Sequence, residues 1–228
     1  FIANSYNIAR RIAKFYRRES HVIHCPVDCS NYRISDDVDE YYLIVSRLRE
    51  YKRIDLAVQA FNQLKRPLVI IGEGPLRQKL ERLAEDLGVD EFILFAGYQD
   101  NPYKFLGRSS LFVLSSKWEG LPNVLLEAMV CGVPVISTDI DFGPGEIINH
   151  GENGFLVPSD DPETLAEQIQ YVLENRNEMV IKEIINNGRK KIESEFRSDL
   201  MVKKYQEYFL DVYNSHYARL DLKLKGIV

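Results

Sequence analysis

The sequence has few of the features that mark metal-bound, membrane-spanning or nucleic-acid-binding proteins. Three of its 228 residues are cysteine, and because three residues separate Cys25 from Cys29 there is no CxxC pair to hold zinc. No apolar run approaches the ~20 residues that a membrane-spanning helix needs. The net charge of −5 argues against a nucleic-acid binder, which usually carries a basic excess.

The sequence does not begin with methionine, and we expect no signal peptide in it. It starts at Phe1 inside a strand-like run, so we expect a fragment of a longer protein. Cys131 lies in an apolar stretch, as a small core residue does, and the cysteine usage indicates a reducing, cytoplasmic compartment. What is present is the composition of an ordinary globular domain, 45% hydrophobic and 28% charged.

Strands and helices alternate along most of the chain. Short apolar runs predict six strands, at 41–46, 67–71, 91–95, 111–115, 133–137 and 154–157. Apolar residues at helical spacing predict helices at 52–64, 76–87, 102–109, 122–130, 145–149, 162–175, 178–195 and 200–217. This alternation predicts an α/β fold, a Rossmann-like parallel six-stranded sheet with helices on both faces. Ligands of such sheets bind at the carboxyl ends of the strands.

Two glutamates separated by seven residues, Glu119 and Glu127, follow the fourth predicted strand. Pro122 suits the first position of a helix, and Leu121 before it has no side-chain oxygen to cap that helix. The free N–H groups and the positive dipole end of the helix predict a phosphate site. Glu127 lies among apolar residues and needs partners, which ribose hydroxyls could provide. The alternative is that Glu127 pairs with a buried arginine or lysine and that Glu119 is solvated.

The segment 118–129, Trp-Glu-Gly-Leu-Pro-Asn-Val-Leu-Leu-Glu-Ala-Met, resembles the paired-glutamate signature of glycosyltransferase family 4, the group 1 glycosyltransferases, which have the GT-B fold. Other elements of that family occur in order, at 45–48 with 52–53, at 71–75, at 95–98, at 143–147 and at 151–158. The resemblance covers nearly the whole chain. It implies the carboxy-terminal, donor-binding half of a GT-B enzyme.

The resemblance also implies roles for individual residues. Glu119 matches the glutamate that contacts the transferred sugar, and Glu127 matches the one that hydrogen-bonds the ribose. Arg47 and Lys52 match the basic pair that neutralises the diphosphate, which suits a leaving group on which negative charge develops. The alternative for Arg47 and Lys52 is ordinary surface charge.

Glycine turns and the start of the glutamate helix complete the predicted donor site. Gly97 and Tyr98 fall where the family grips the base with main-chain groups, although Tyr98 could instead cover the sheet edge. Gly72 and Gly74 predict a tight turn that lets the donor approach the backbone. Because Arg77 stands where a dinucleotide fingerprint has its third glycine, NAD binding is not predicted. The other predicted donor-binding residues are Gly120, Leu121, Asn123 and Val124.

We therefore expect a retaining transferase that moves a hexose or N-acetylhexosamine from a nucleoside-diphosphate sugar to a glycan or lipid-linked acceptor. A UDP-sugar is favoured over GDP-mannose as the donor. No cofactor and no metal are expected, because the basic pair can neutralise the diphosphate. Two alternatives are a nucleotide-sugar-binding domain that is inactive on its own and a GT-B sugar-nucleotide epimerase.

The resemblance further implies how the chain is divided. Residues 1–26 are expected to be a remnant of the amino-terminal domain, 27–40 a linker, 41–197 the donor-nucleotide-binding Rossmann-like domain, and 198–228 a carboxy-terminal crossover helix and tail. With most of the acceptor domain missing, we expect the isolated chain to bind nucleotide but to transfer sugar poorly. We also expect either that it self-associates through the apolar stripe of its last helix or that this helix forms a mobile tail.

A basic amphipathic helix is predicted near the start of the chain. Its cations are interleaved with apolar residues, and such a helix can contact anionic lipid at the inner face of a membrane, which would suit a lipid-linked acceptor. The alternative is a charged face that is simply solvated. The cations are Arg10, Arg11, Lys14, Arg17 and Arg18.

Overall fold

The structure is a computed structural model that describes residues 1–29 and 38–224, with side chains described to residue 217. Within those residues the strands form two parallel sheets, one of two strands and one of six. The parallel pairing in both sheets fits the predicted alternation of strands and helices. Two neighbouring parallel strands need a long crossover connection, and this connection is usually a helix.

The first residues build the two-stranded sheet. Strand β1 (Ile2–Ala3) leads into helix α1 (Tyr6–Tyr16), and strand β2 (His21–Val22) then pairs in parallel with β1. Ser5 caps α1, because its hydroxyl accepts a hydrogen bond from the N–H of Ile8 at 3.3 Å. The predicted basic helix is therefore the crossover of a small βαβ unit.

The six-stranded sheet is wholly parallel, as predicted, and its strand order is β5-β4-β3-β6-β7-β8. The elements in chain order are β3 (Tyr42–Val45), α2 (Ile54–Leu64), β4 (Leu68–Ile71), α3 (Arg77–Asp86), β5 (Ile93–Gly97), α4 (Tyr103–Leu106), β6 (Leu111–Leu114), α5 (Asn123–Val130), β7 (Val135–Asp139), α6 (Pro144–Ile147) and β8 (Phe155–Pro158). The chain continues with α7 (Pro162–Glu174), α8 (Met179–Glu195) and α9 (Ser198–Leu224). The bounds of the strands fall within two residues of the predicted ones.

Successive residues of each central strand point into separate cores on the two faces of the sheet. Ile44 of β3 packs in the same core as Phe61 of α2, whereas Leu43 packs in the core that contains Leu126 of α5. Each of these side chains is fully buried, and burial of such a side chain stabilises the fold by about 1.5–3 kcal/mol. Helices α2, α3 and α7 thus cover one face, and α5 and α6 cover the other.

Helix α9 returns to the amino-terminal βαβ unit. The ring of His21 on β2 stacks on the ring of Tyr208 on α9, with 5.1 Å between centroids. Beyond this contact Phe209 and Tyr213 are exposed, so the surface predicted to drive self-association is open to solvent. The assignment of α9 as a crossover helix remains a prediction, as does the association itself.

The predicted linker is anchored at both of its described ends. Residues 30–37 lie outside the described residues. Before them, Val27 is buried and forms a β-bridge with Arg197. After them, the carboxylate of Asp39 accepts a hydrogen bond from Arg108 Nε at 2.8 Å.

Backbone packing at the carboxyl end of the sheet requires a glycine at position 72. The N–H of Gly72 donates to the carbonyl of Gly97 at 2.8 Å, and Gly72 has a φ of +128°. A β-carbon there would collide with the carbonyl oxygen of Ser46. Gly88 also has a positive φ, +62°, but a β-carbon there would meet no described atom within 4 Å.

This contrast predicts unequal costs for two alanine variants. Gly88→Ala should lower the free energy of unfolding by about 1–2 kcal/mol, because it only forces an L-residue into the left-handed region. Gly72→Ala should lower it by about 3 kcal/mol or more, because a backbone collision is added. Urea denaturation of the two variants beside the parent measures both. Equal losses would contradict the close approach of Gly72 to Ser46.

Candidate functional site

The order of the strands brings the two most informative loops together. Strands β3 and β6 are neighbours at the point where the strand order reverses, and such a switch point opens a crevice at the carboxyl ends. The N–H of Lys117 donates to the carbonyl of Tyr51 at 2.7 Å. The rings of Tyr51 and Trp118 stack, with 4.0 Å between centroids. The turn after β3 and the loop after β6 therefore form one surface.

Glu119 and Lys52 form an ion pair at this surface. Lys52 Nζ lies 2.5 Å from Glu119 Oε1, and the hydroxyl of Ser116 donates to the same oxygen at 2.6 Å. The side chains are largely buried, with 16% of Lys52 and 11% of Glu119 exposed. The alternative in which Glu119 is solvated is therefore wrong. Arg47 is exposed and pairs with no carboxylate among the described residues, so the structure brings only Lys52 to the glutamate.

Glu127 lies in a different environment from Glu119. It is half-buried, and the hydroxyl of Tyr103 on α4 donates to Glu127 Oε1 at 3.3 Å. No arginine or lysine in the described part of the chain pairs with it, so the alternative of a buried cationic partner is not observed. Burial raises the pKa of the Glu127 carboxyl, and the hydrogen bond from Tyr103 offsets part of that rise.

The helix that carries Glu127 starts one residue later than predicted. Pro122 has a ψ of 89°, which is not helical, so it precedes α5 rather than forming its first turn. Proline has no side-chain acceptor, and α5 begins without a side-chain cap, as expected from the sequence. Four residues predicted to bind the donor lie at or just before this helix start: Gly120, Leu121, Asn123 and Val124.

The predicted glycine turns lie at the same edge of the sheet. A β-carbon on Gly74 would collide with the backbone of Leu48, so the turn after β4 packs against the turn after β3. Gly97 has a φ of +68° and ends β5. The ring of Tyr98 beside it is 72% exposed. The backbones of the loops after β3, β4 and β5 are thus close together, and the side chain of Tyr98 next to them is exposed to solvent.

Helix α1 reaches the site through contacts that sequence reasoning missed. The carboxylate of Glu146 on α6 accepts from the N–H groups of Tyr6 and Asn7, at 2.9 and 3.4 Å, and His24 Nε2 lies 3.2 Å from it. A carboxylate at a helix amino terminus is stabilised by the helix dipole. The side-chain amide of Asn7 donates to the carbonyl of Glu119 at 3.4 Å. In the sequence, Glu146 was noted only as part of the family-like element at 143–147.

Tyr103 was also missed, although one signal pointed to it. It follows the third predicted strand closely, at the carboxyl edge where ligands bind. No sequence signal could pair it with Glu127, because 24 residues separate the two.

The described residues contain no group of three histidine, cysteine, aspartate or glutamate side chains placed to hold a metal ion. Asp139, which ends β7, and Asp141 line a neighbouring cavity of about 440 Å³, and the third carboxylate there, Glu146, is bonded to the N–H groups of α1. Across the part of the chain with described structure, each helix is too short or too polar to span a bilayer.

Comparison with known proteins gives the family. Residues 33–191 match the family model for Glycosyl transferases group 1. N-acetyl-alpha-D-glucosaminyl L-malate synthase of Bacillus anthracis is 33% identical over 185 residues, which are 79% of this chain and 48% of that protein. N-acetylgalactosamine-N,N'-diacetylbacillosaminyl-diphospho-undecaprenol 4-alpha-N-acetylgalactosaminyltransferase of Campylobacter jejuni is 34% identical over 139 residues, 60% of this chain and 38% of that protein. The chain therefore spans less than half the length of either relative.

Solved structures confirm the fold class. The crystal structure of HepE from Anabaena in complex with UDP superimposes with a TM-score of 0.85 at 21% identity, covering 92% of this chain and 63% of that one. The likeness confirms the α/β architecture, a six-stranded parallel sheet flanked by helices as in GT-B glycosyltransferases.

The environment of Glu127 predicts a variant that is more stable than the parent. Burial raises the carboxyl pKa, so the folded state binds the proton more tightly than the unfolded state. The free energy of unfolding should then fall as pH rises from the ordinary glutamate pKa through the raised one. Glu127→Gln removes the charge and keeps the volume and an acceptor, so it should raise the free energy of unfolding at pH 7.

Denaturation of Glu127→Gln at pH 7 and about pH 4 tests this, because the gain should shrink once the parent carboxyl is protonated. Glu85→Gln, an exposed position on α3, is the control and should change little at either pH. A gain that is the same at both pH values would contradict the raised pKa.

Proposed function

The chain belongs to the group 1 glycosyl transferases, and from that premise we propose that it is the carboxy-terminal, donor-binding half of a retaining enzyme of glycosyltransferase family 4. The observation that carries the proposal is the Lys52–Glu119 pair beside the uncapped start of α5. A cation, a carboxylate and free backbone N–H groups meet there, and a nucleotide sugar needs all of them.

The diphosphate of the donor binds at the start of α5. Backbone N–H groups at a helix amino terminus point at a bound anion, and the helix dipole favours its negative charge. Lys52 lies at the crevice, where its ammonium pairs with Glu119. Arg47, exposed in the turn after β3, closes on the phosphates from the other side. As the bond to the sugar breaks, these cations stabilise the charge that develops on the leaving nucleoside diphosphate.

The two glutamates act on different parts of the donor. Glu119 contacts the transferred sugar, and its ion pair with Lys52 holds the carboxylate in position. Glu127 accepts hydrogen bonds from the ribose hydroxyls. These bonds add to the one that the Tyr103 hydroxyl donates to the Glu127 carboxylate. The base lies along the backbone of Gly72, Gly97 and Tyr98.

The donor is a UDP-sugar and the transferred group is a hexose or N-acetylhexosamine. The names of the Bacillus and Campylobacter relatives specify N-acetylhexosaminyl groups, and HepE, which shares the fold, holds UDP. The acceptor is a glycan or a lipid-linked saccharide. No metal takes part, because Lys52 and Arg47 carry the neutralising charge.

Most of the acceptor half of the cleft belongs to a part of the enzyme that this chain does not contain. Positioning donor and acceptor contributes about 7–11 kcal/mol to catalysis, and half a cleft cannot supply it. The isolated chain therefore binds the donor and turns it over slowly. Its membership of a transferase family favours this over the epimerase alternative.

Removal of the Lys52 ammonium should weaken donor binding. A hydrogen bond to a charged group contributes about 1.5–3 kcal/mol, so Lys52→Ala should raise the Kd for UDP about tenfold or more. Isothermal titration calorimetry on the isolated chain measures this. Lys117→Ala removes an equally positive, exposed side chain from the facing loop and should leave the Kd within about twofold. Equal affinities of Lys52→Ala and parent would sink the assignment.

Removal of the Glu119 carboxylate should affect transfer rather than binding. In the full-length enzyme, Glu119→Ala should lower kcat about a hundredfold or more while the Kd for UDP stays within a few-fold. Glu50→Ala, in the exposed turn opposite, is the control. A radiolabelled-donor assay gives kcat, and normal turnover by Glu119→Ala would refute its contact with the sugar.

A further inference from the structure

A second cavity adjoins Glu119 on the side that faces helix α1. Its volume is about 530 Å³, and the loop 118–120 forms one wall while α1 forms the other. The side chain of Asn7 donates to the carbonyl of Glu119 at 3.4 Å and so joins the two walls. Lys52 is not among the lining residues, so this cavity is distinct from the proposed diphosphate site.

The charge lining the cavity is predominantly positive. Arg10, Arg11 and Lys14 of α1 line it, and the single lining carboxylate is that of Glu119, which is already paired with a lysine. Arg10 is held over the ring of Phe142, 5.4 Å from its centroid, and also lines the neighbouring cavity with the acidic residues after β7. Among the described residues, neither Arg11 nor Lys14 forms an ion pair. Two cations therefore lie at the cavity without a counter-charge from the part of the chain that the structure describes.

The remaining lining is apolar and continues along α1. Ile8, Phe15, Trp118 and Phe142 line the cavity beside the cations. An adjoining cavity of about 380 Å³ extends the apolar surface along Ile12 and Tyr16, again with Arg11 at its edge. An occupant that satisfies both surfaces carries an anionic group attached to an apolar chain.

We propose that this cavity is an acceptor subsite that takes a phosphate or diphosphate group joined to an apolar chain. Arg11 and Lys14 pair with the phosphate oxygens, and the apolar chain lies along Phe15 and the adjoining groove. The head of the acceptor is then directed past Trp118 toward Glu119, where the transferred sugar is proposed to lie. The inference rests on the proposed function, because it assigns the acceptor to the donor already described.

The chain contains a built-in reporter for this subsite. Trp118 is its single tryptophan, lines the cavity, and is 59% exposed. The experiment titrates the chain with farnesyl diphosphate in saturating UDP and follows tryptophan emission, with calorimetry in parallel. We expect saturable binding. Farnesol has only the apolar chain and inorganic pyrophosphate has only the anionic group. Each should therefore bind at least about tenfold more weakly than farnesyl diphosphate.

The variant Arg11→Glu should raise the Kd for farnesyl diphosphate about tenfold or more, as expected when a charge-assisted hydrogen bond is lost. Arg18→Glu makes the same charge reversal two residues past the end of α1, does not line the cavity, and should change the Kd less than twofold. Thermal melts check that both variants are folded. Lys14→Ala removes a positive charge without reversing it, and it should raise the Kd for farnesyl diphosphate by a smaller factor.

Three results would overturn the subsite. They are loss of farnesyl diphosphate binding when UDP saturates the donor site, equal weakening by Arg11→Glu and Arg18→Glu, and no binding at all. Calorimetry with UDP alone separates this failure from failure of the proposed function. A chain that binds UDP but not farnesyl diphosphate loses only the subsite, whereas a chain that does not bind UDP loses the donor function.

Discussion

The ion pair between Lys52 and Glu119 is the interaction on which the site depends. It joins the turn after β3 to the loop after β6 across the switch point of the sheet. A carboxylate with 11% of its surface exposed is costly to hold without a partner, and Lys52 and Ser116 both supply one. The same pair holds a cation on the loop that leads into the uncapped start of α5, where the diphosphate is proposed to bind.

A second carboxylate, Glu146, extends this arrangement to the amino-terminal unit. It takes the first N–H groups of α1 and lies beside His24, so the small βαβ unit is fastened next to the glutamate loop. The contact also shapes the surface beside Glu119. Without α1, Glu119 would border an open surface, whereas with α1 it borders a cavity lined by cations and aromatic rings.

The two glutamates show how position sets chemistry. Glu119 has a cation and a hydroxyl, whereas Glu127 has one tyrosine hydroxyl and a burial that raises its pKa. A half-buried carboxylate whose charge has no cationic partner among the described residues lowers the free energy of unfolding at neutral pH. Such local costs are typical of residues whose partner is a ligand, which agrees with the ribose-binding role proposed for Glu127.

The sequence by itself determined the parallel sheet, its helices and the spacing of the two glutamates, because apolar periodicity and turn residues act over a few neighbours. It also indicated an uncapped helix starting at Pro122, one residue before the observed start, since a cap is a local contact. Only the tertiary structure decided which glutamate pairs with Lys52. It also decided that Tyr103 donates a hydrogen bond to Glu127 and that Glu146 accepts hydrogen bonds from the first N–H groups of α1. Those partners are 67, 24 and 140 residues apart, respectively. Contacts over such separations depend on strand order and on how the loops fold together, and neither is written in a local pattern of residues.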